Sequence, residues 1–241
     1  GKPLCFKEHF DRMIQSSHLM SLNVDFDSVN NDLKKLAATL INQDGYIYYQ
    51  ISRGVDMVRS HIYQDDLEIE RFGYAMPVSF PSSSISAMLC NDDRWGRCNI
   101  KSTSLLSNVL AMNKAKSLGC KEIVMHRDGF MTEAGSSNVF YFDSSGSVRT
   151  SSLSENILPG ITRSILIEAL KGTPYSVKEG SCAVLDFNES PCIWLTSSTK
   201  GILPLSALIG TEYKFEENFD GYLDVAELFN SAMQSHLAAS E

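Results

Sequence analysis

Apolar residues fall at helical spacing from the start of the chain. Phe6, Phe10, Met13 and Ile14, continued by Leu19 and Leu22, form one stripe, and Val29, Leu33, Leu36, Ala37 and Leu40 form a second, with Asp27 or Ser28 as its cap. Asp44 and Gly45 stop that second helix, and the period then changes. Tyr46 to Arg53 is an aromatic and β-branched run that predicts a strand ending at Gly54, and Leu67 to Phe72 alternates as a second strand. Pro77, Pro81 and the serines Ser82, Ser83, Ser84 and Ser86 interrupt the pattern and predict a domain boundary. Beyond it, Leu105, Leu106, Val109, Leu110, Met112 and Ala115 predict a helix that ends near Gly119. Strands are predicted at Glu122 to Met125, Val139 to Phe142 and Ile193 to Thr196, with a turn at Arg127-Asp128-Gly129. Ile161 to Leu170 and Tyr222 to Leu237 read as helices. Strands and helices mix throughout, which predicts an α+β (mixed α/β) protein of one large or two modest domains.

Charge narrows the class of partner. With 29 acidic against 21 basic residues the net charge is -8, and phosphate-backbone binding rests on clustered lysine and arginine, so a nucleic-acid partner is not expected. No apolar run reaches the length that spans a bilayer, so no membrane segment is expected. Six cysteines occur without a C-x-x-C pair, which signals neither a zinc site nor a dithiol centre. Free thiols in a reducing cytoplasm are the simpler expectation, with no metal.

Two segments carry the chemistry. Arg94-Trp95-Gly96-Arg97-Cys98-Asn99-Ile100-Lys101-Ser102 places a lysine in a short apolar setting among arginines. Thr132-Glu133-Ala134-Gly135-Ser136-Ser137-Asn138-Val139-Phe140 places a carboxylate beside a turn of small hydroxyl residues that leads into a strand. A lysine able to form a Schiff base and a carboxylate able to keep a pyridine nitrogen protonated are the two groups that pyridoxal 5'-phosphate chemistry most needs. Phosphate donors are present too. Gly160-Ile161-Thr162 stands at a predicted helix start, where backbone N–H groups and the macrodipole favour an anion, and Ser197 and Ser198 offer hydroxyls from a short loop.

These segments resemble those of the class IV aminotransferases, of the branched-chain and D-amino-acid type. The resemblance extends to Gly1–Arg12, to Leu158-Pro159-Gly160-Ile161-Thr162-Arg163 and to Leu195–Pro204, and so covers nearly the whole chain. It implies a small N-terminal sheet-plus-helices domain at 1–78, a larger pseudo-barrel-like α/β domain at 79–241, and pyridoxal 5'-phosphate in the interdomain cleft. Lys101 would be the catalytic Schiff-base lysine and Glu133 the partner of the pyridine nitrogen. Ile161, Thr162, Ser197 and Ser198 would hold the phosphate, with Arg12 adding a full charge from the first domain. Ser136 and Ser137 either bond the cofactor or shape the turn, and Leu158 either covers the ring or is a core leucine. Arg94, Trp95 and Arg97 would steady the site or the dimer, while His126 and Cys98 read as structural.

Substrate choice falls to other residues. Arg59-Ser60-His61 resembles the arginine-x-histidine carboxylate trap that a neighbouring subunit presents in D-amino-acid aminotransferases, and it reads equally as a solvated loop. The expected protein is a cytoplasmic homodimer that exchanges an amino group between an amino acid, D in preference, and a 2-keto acid. A 4-amino-4-deoxychorismate lyase, a branched-chain L-amino-acid aminotransferase and a catalytically silent dimeric relative are the alternatives. Family members carry a strand pair ahead of the position matched by Gly1. The expectation is that residues precede Gly1 in the full protein, the other reading being an exposed strand edge.

Overall fold

The computed structural model describes residues 3–41, 43–81 and 83–238. Ser82, one of the serines of the predicted boundary, lies outside them. The chain divides at Ser79–Phe80 into two compact units.

The first unit holds helices α1 (Phe6–Leu19) and α2 (Phe26–Ala37) and an antiparallel ribbon of β1 (Gly45–Ser52) and β2 (Glu70–Pro77). The cap of α2 is Asp25, ahead of the expected Asp27 or Ser28: its Oδ1 accepts from Asp27 N at 3.1 Å and Ser28 N at 3.2 Å, which satisfies N–H groups the helix leaves open. Leu22 and Leu40 lie past the ends of their helices, although Leu22 is still buried. Strand β2 begins at Glu70 and runs to Pro77, later than the alternating Leu67–Phe72 run predicts. The register with β1, from Ser52↔Glu70 to Gly45↔Pro77, sets those limits. At the neck of the intervening loop Gly54 has φ 118°, and a Cβ there would lie 2.2 Å from Glu68 O, so only glycine fits. Tyr49 Oη donates to Asp32 Oδ2 at 2.7 Å, which fastens β1 to α2.

The second unit is a curled eight-stranded sheet. In chain order its strands are β3 (Ile85–Asn91), β4 (Glu122–Arg127), β5 (Phe130–Ala134), β6 (Asn138–Phe142), β7 (Val148–Ser151), β8 (Lys178–Gly180), β9 (Ile193–Ser197) and β10 (Gly201–Ile209). Their spatial order is β5-β4-β3-β10-β9-β6-β7-β8. Helix α3 (Leu106–Ser117) connects the parallel pair β3 and β4, and α4 (Ile161–Leu170) and α5 (Asp220–Ala238) pack on one another beside β9. The two outer edges nearly meet: Met131 N donates to Cys182 O at 2.8 Å and Val184 N to Gly129 O at 2.9 Å, just beyond β8. This is the barrel-like α/β architecture that the resemblance implies.

Strand β6 is buried on both faces, as its run of apolar residues requires. Val139 and Tyr141 join Phe187, Ile193 and Leu195 on one side. On the other, Phe140 stacks with Trp194 and Phe142 meets it tilted, at ring-centroid distances of 5.8 and 5.3 Å. Strands β3, β5, β7, β8 and most of β10 are absent from the sequence pattern, and Leu195–Pro204, expected as a strand and loop, is the end of β9, a tight turn and the start of β10. Helix α3 forms where predicted, but the first part of the stripe that marks it faces outward. Leu105, Leu106, Val109 and Leu110 are exposed, whereas Asn108 and Ala115 are buried.

Candidate active site

The turn between β5 and β6 is the centre of the constellation. Glu133 near the end of β5 and Asn138 at the start of β6 are both buried. Arg94 Nη1 donates to Glu133 Oε1, and the amide of Leu158 donates to Oε2 at 3.0 Å. Asn138 Nδ2 also donates to Oε2 at 3.2 Å and to Leu158 O at 3.0 Å, so one side chain joins the two segments. Burial pushes the Glu133 carboxyl above its ordinary value, and the Arg94 charge with the Leu158 N–H offsets only part of that rise.

Arg94 is held from its other side by Asp92. Arg94 Nε and Nη2 donate to Asp92 Oδ1 and Oδ2, both at 2.8 Å, in a two-pronged ion pair, and Nη2 donates to Asn156 O at 2.9 Å. Thr132 Oγ1 donates to Asp92 Oδ2 at 2.8 Å. Burial alone would raise the Asp92 carboxyl, but the bonds and charge of Arg94 outweigh it and hold the group down at about 2, against an ordinary 3.8. A carboxylate depressed on folding stabilises the native state above its unfolded pKa and loses that contribution as pH falls through the folded one. We expect about 2 kcal/mol of stability to disappear between roughly pH 4 and pH 2. Urea titrations across that range would measure it, and Asp92→Asn should flatten the acid limb; an unchanged limb would contradict the assignment.

Lys101 lies on the segment between β3 and α3. That segment is tied at both ends to the Glu133 turn, by Arg94 to Glu133 and by Asn108 Nδ2 to Gly135 O at 2.9 Å. Between these ties Cys98 N donates to Glu155 O at 2.6 Å. Lys101 itself is exposed within the chain, a correction to the apolar setting its neighbours suggest, since Asn99 and Ile100 beside it are only half-buried.

The residues expected to hold the phosphate lie around Asn138. Thr196 pairs with Asn138 across β9 and β6, which puts Ser197 beside the start of β6. Gly160, the N-cap of α4, approaches Asn138 so closely that a Cβ would sit 2.1 Å from its Oδ1. This contact brings Ile161 and Thr162 to Asn138, and no side chain caps their turn. Ser197 Oγ is buried without a hydrogen-bond partner, and Ser198 is exposed beside it. Leu158 is half-buried and contributes its backbone N–H. Ser136 and Ser137 both accept from Lys200 Nζ, at 2.8 and 3.1 Å.

Arg12, Arg59 and His61 belong to the first unit. Burial pushes the Arg12 guanidinium below its ordinary value, and Arg59 and His61 are exposed on the loop between β1 and β2. Three contributors escape sequence reading: the partner of Arg94, the joining role of Asn138, and Lys200. The Asp92-x-Arg94 spacing is the one local signal that could have pointed to a pair.

These residues suit pyridoxal 5'-phosphate. An ionised carboxylate has about four lone-pair sites, and three donors reach Glu133, leaving Oε1 room for the N–H of a protonated pyridine. The unpartnered Ser197 hydroxyl and the uncapped start of α4 are donors of the kind a phosphate needs.

The family profile described as "Amino-transferase class IV" matches residues 1–208. The chain belongs to the class IV aminotransferases. It is an enzyme chain, and pyridoxal 5'-phosphate is its cofactor. D-alanine aminotransferase from Listeria monocytogenes (serotype 1/2a, strain 10403S) is 32% identical over 220 residues, covering 88% of this chain and 76% of that protein. A putative 4-amino-4-deoxychorismate lyase from Legionella pneumophila has a similar structure, with a TM-score of 0.82 at 21% identity over 95% of this chain and 86% of the other. A hypothetical aminotransferase from Mycobacterium tuberculosis in its PLP-bound form superposes with a TM-score of 0.78 at 19% identity, over 100% and 86%. Among the described residues no helix is long and apolar enough to cross a membrane.

Proposed function

We propose that this class IV enzyme transfers an amino group between a D-amino acid and a 2-keto acid. The observation that carries the preference is the exposed pair Arg59 and His61, whose guanidinium and imidazole both donate to a carboxylate. The similarity to D-alanine aminotransferase over most of the chain supports it. When bound, pyridoxal 5'-phosphate supplies an electrophilic carbon and a sink for the electron pair left at Cα.

The chain's own residues do the rest. Lys101 Nζ takes the proton from the substrate Cα and returns one on the other side of the exchange, as a base tethered near the Glu133 turn. Glu133, held by Arg94, accepts the pyridine N–H. Ser197, Ser198, Ile161 and Thr162 bind the phosphate, and Ser136 and Ser137 stand at its edge. Leu158 covers the ring beside its own N–H bond to Glu133. Arg59 and His61 orient the substrate by its carboxylate.

The assembly we propose is a homodimer, supported by the outward apolar face of α3 and by Trp95, which is 73% exposed in the single chain. A sedimentation mass near twice the 26.7 kDa chain is its test. A cytoplasmic location accords with six cysteines that are all free.

The reaction is tested by single turnover. With D-alanine as the only substrate, the cofactor-loaded protein should release one pyruvate per site and convert its cofactor to the amine form. Release of pyruvate from aminodeoxychorismate, with none from D-alanine, would replace this reading with the lyase. Arg59→Ala should raise KM for D-alanine about ten- to a hundred-fold, the worth of one charged hydrogen bond, and an unchanged KM would remove the carboxylate role.

A further inference from the structure

Glu122, the first residue of β4, is a fully buried carboxylate far in sequence from any basic residue that meets it. Its Oε1 accepts from Ile123 N at 3.1 Å, and its Oε2 accepts from Ser136 Oγ at 2.9 Å and from Lys200 Nζ at 2.7 Å. Lys200 is the last residue of the turn between β9 and β10, where its N–H donates to Ser197 O at 3.3 Å. Its ammonium also donates to Ser136 Oγ at 2.8 Å and Ser137 Oγ at 3.1 Å. An ammonium has three donors and no acceptor, and here it meets three oxygens.

This arrangement dictates which way the serine protons point. Ser136 accepts from Lys200 and gives its own proton to Glu122. Ser137 accepts from Lys200, and among the described residues its hydroxyl donates to no acceptor. A hydroxyl that has taken a cationic donor on its lone pair presents its proton to something else. Ser137 adjoins Asn138, which pairs with Thr196 across the sheet, and the hydroxyl of the next residue on that strand, Ser197, is unpartnered.

We propose that Lys200 is a positioning residue for the cofactor phosphate: it turns the Ser137 hydroxyl outward as a donor and ties the Ser136-Ser137 turn to the Ser197-Ser198 loop, so that both present donors to one anion. The inference rests on the assignment of those two loops to pyridoxal 5'-phosphate. Lys200 acts through Ser137 and through the loop geometry, with its own charge matched by Glu122.

The test is equilibrium titration of the cofactor-free protein with pyridoxal 5'-phosphate and, separately, with pyridoxal, which lacks the phosphate. Lys200→Met should raise Kd for pyridoxal 5'-phosphate about ten- to a hundred-fold, the loss of one well-aimed donor to a charged acceptor, and change Kd for pyridoxal less than three-fold. Equal weakening of both ligands, or no weakening of either, overturns the proposal. Because Lys200→Met leaves Glu122 buried and unmatched, the double variant Lys200→Met/Glu122→Gln serves as the folded control. It should melt near the parent temperature and still bind pyridoxal 5'-phosphate at least ten-fold more weakly, whereas full affinity in it would reduce Lys200 to a counter-charge. Failure of the parent protein to take up pyridoxal 5'-phosphate would instead sink the assignment of the loops.

Discussion

Lys101→Ala lowers kcat by at least about a thousand-fold while leaving the fold intact. The size follows from the role proposed for this amine, nucleophile toward the cofactor and base for the Cα proton, since general acid–base catalysis alone is worth about a hundred- to ten-thousand-fold. Stability should hardly change. Lys101 is exposed, and its segment is fastened by Arg94 on Glu133, by Asn108 on Gly135 and by Cys98 N on Glu155 O, ties that the substitution leaves in place. Surface substitutions of this kind stay within about 0.5 kcal/mol. Steady-state amino transfer measured beside a thermal melt separates the two effects. A variant that turns over within ten-fold of the parent would remove Lys101 from the chemistry.

Glu133 substitutions should strike both activity and stability. In Glu133→Ala the Arg94 guanidinium, whose side chain is only 9% exposed, loses one of its two carboxylates, and the Leu158 N–H loses its acceptor. Removing one partner of a buried ion pair costs about 3–5 kcal/mol, and Asp92 keeps the loss toward the lower end because it still grips Arg94. Glu133→Gln is the sharper variant. It preserves volume but turns one acceptor oxygen into an NH2 group, which must face either Arg94 Nη1 or the Leu158 and Asn138 donors. The pyridine N–H then loses its anionic partner, and kcat should fall about a hundred- to a thousand-fold with a melting temperature between those of the parent and of Glu133→Ala. Full activity in Glu133→Gln would show that no charge is needed at that nitrogen.

The outward stripe of α3 shows where pattern reading stops. Apolar residues at helical spacing identify a helix whichever neighbour they face, because the period is a property of the backbone. They do not say whether that neighbour lies in the same chain. Leu106 and Leu110 are 61% and 63% exposed in the single chain, so the period marked the helix without marking a buried face. The short strands were silent for a related reason. β7 spans Val148–Ser151 and β8 spans Lys178–Gly180, too few residues to display a period of two, and they exist because a neighbouring strand offers its backbone.

The cofactor was legible in a particular way. Lys101, Glu133, the Gly160-Ile161-Thr162 turn and Ser197 stand in compact runs whose chemistry points to pyridoxal 5'-phosphate within a few residues, and pattern with family resemblance gave the mixed α/β class and the main helices. What holds those groups could not be read there. Arg94 and Glu133 are 39 positions apart, and Lys200 and Glu122 are 78. A buried charge requires a partner but places no mark on the sequence that says which residue supplies it. The tertiary structure decided those pairings, the N-cap at Asp25 and the exposure of Lys101, because each depends on which surfaces the folded chain removes from water and which backbone groups it brings within reach of a hydrogen bond.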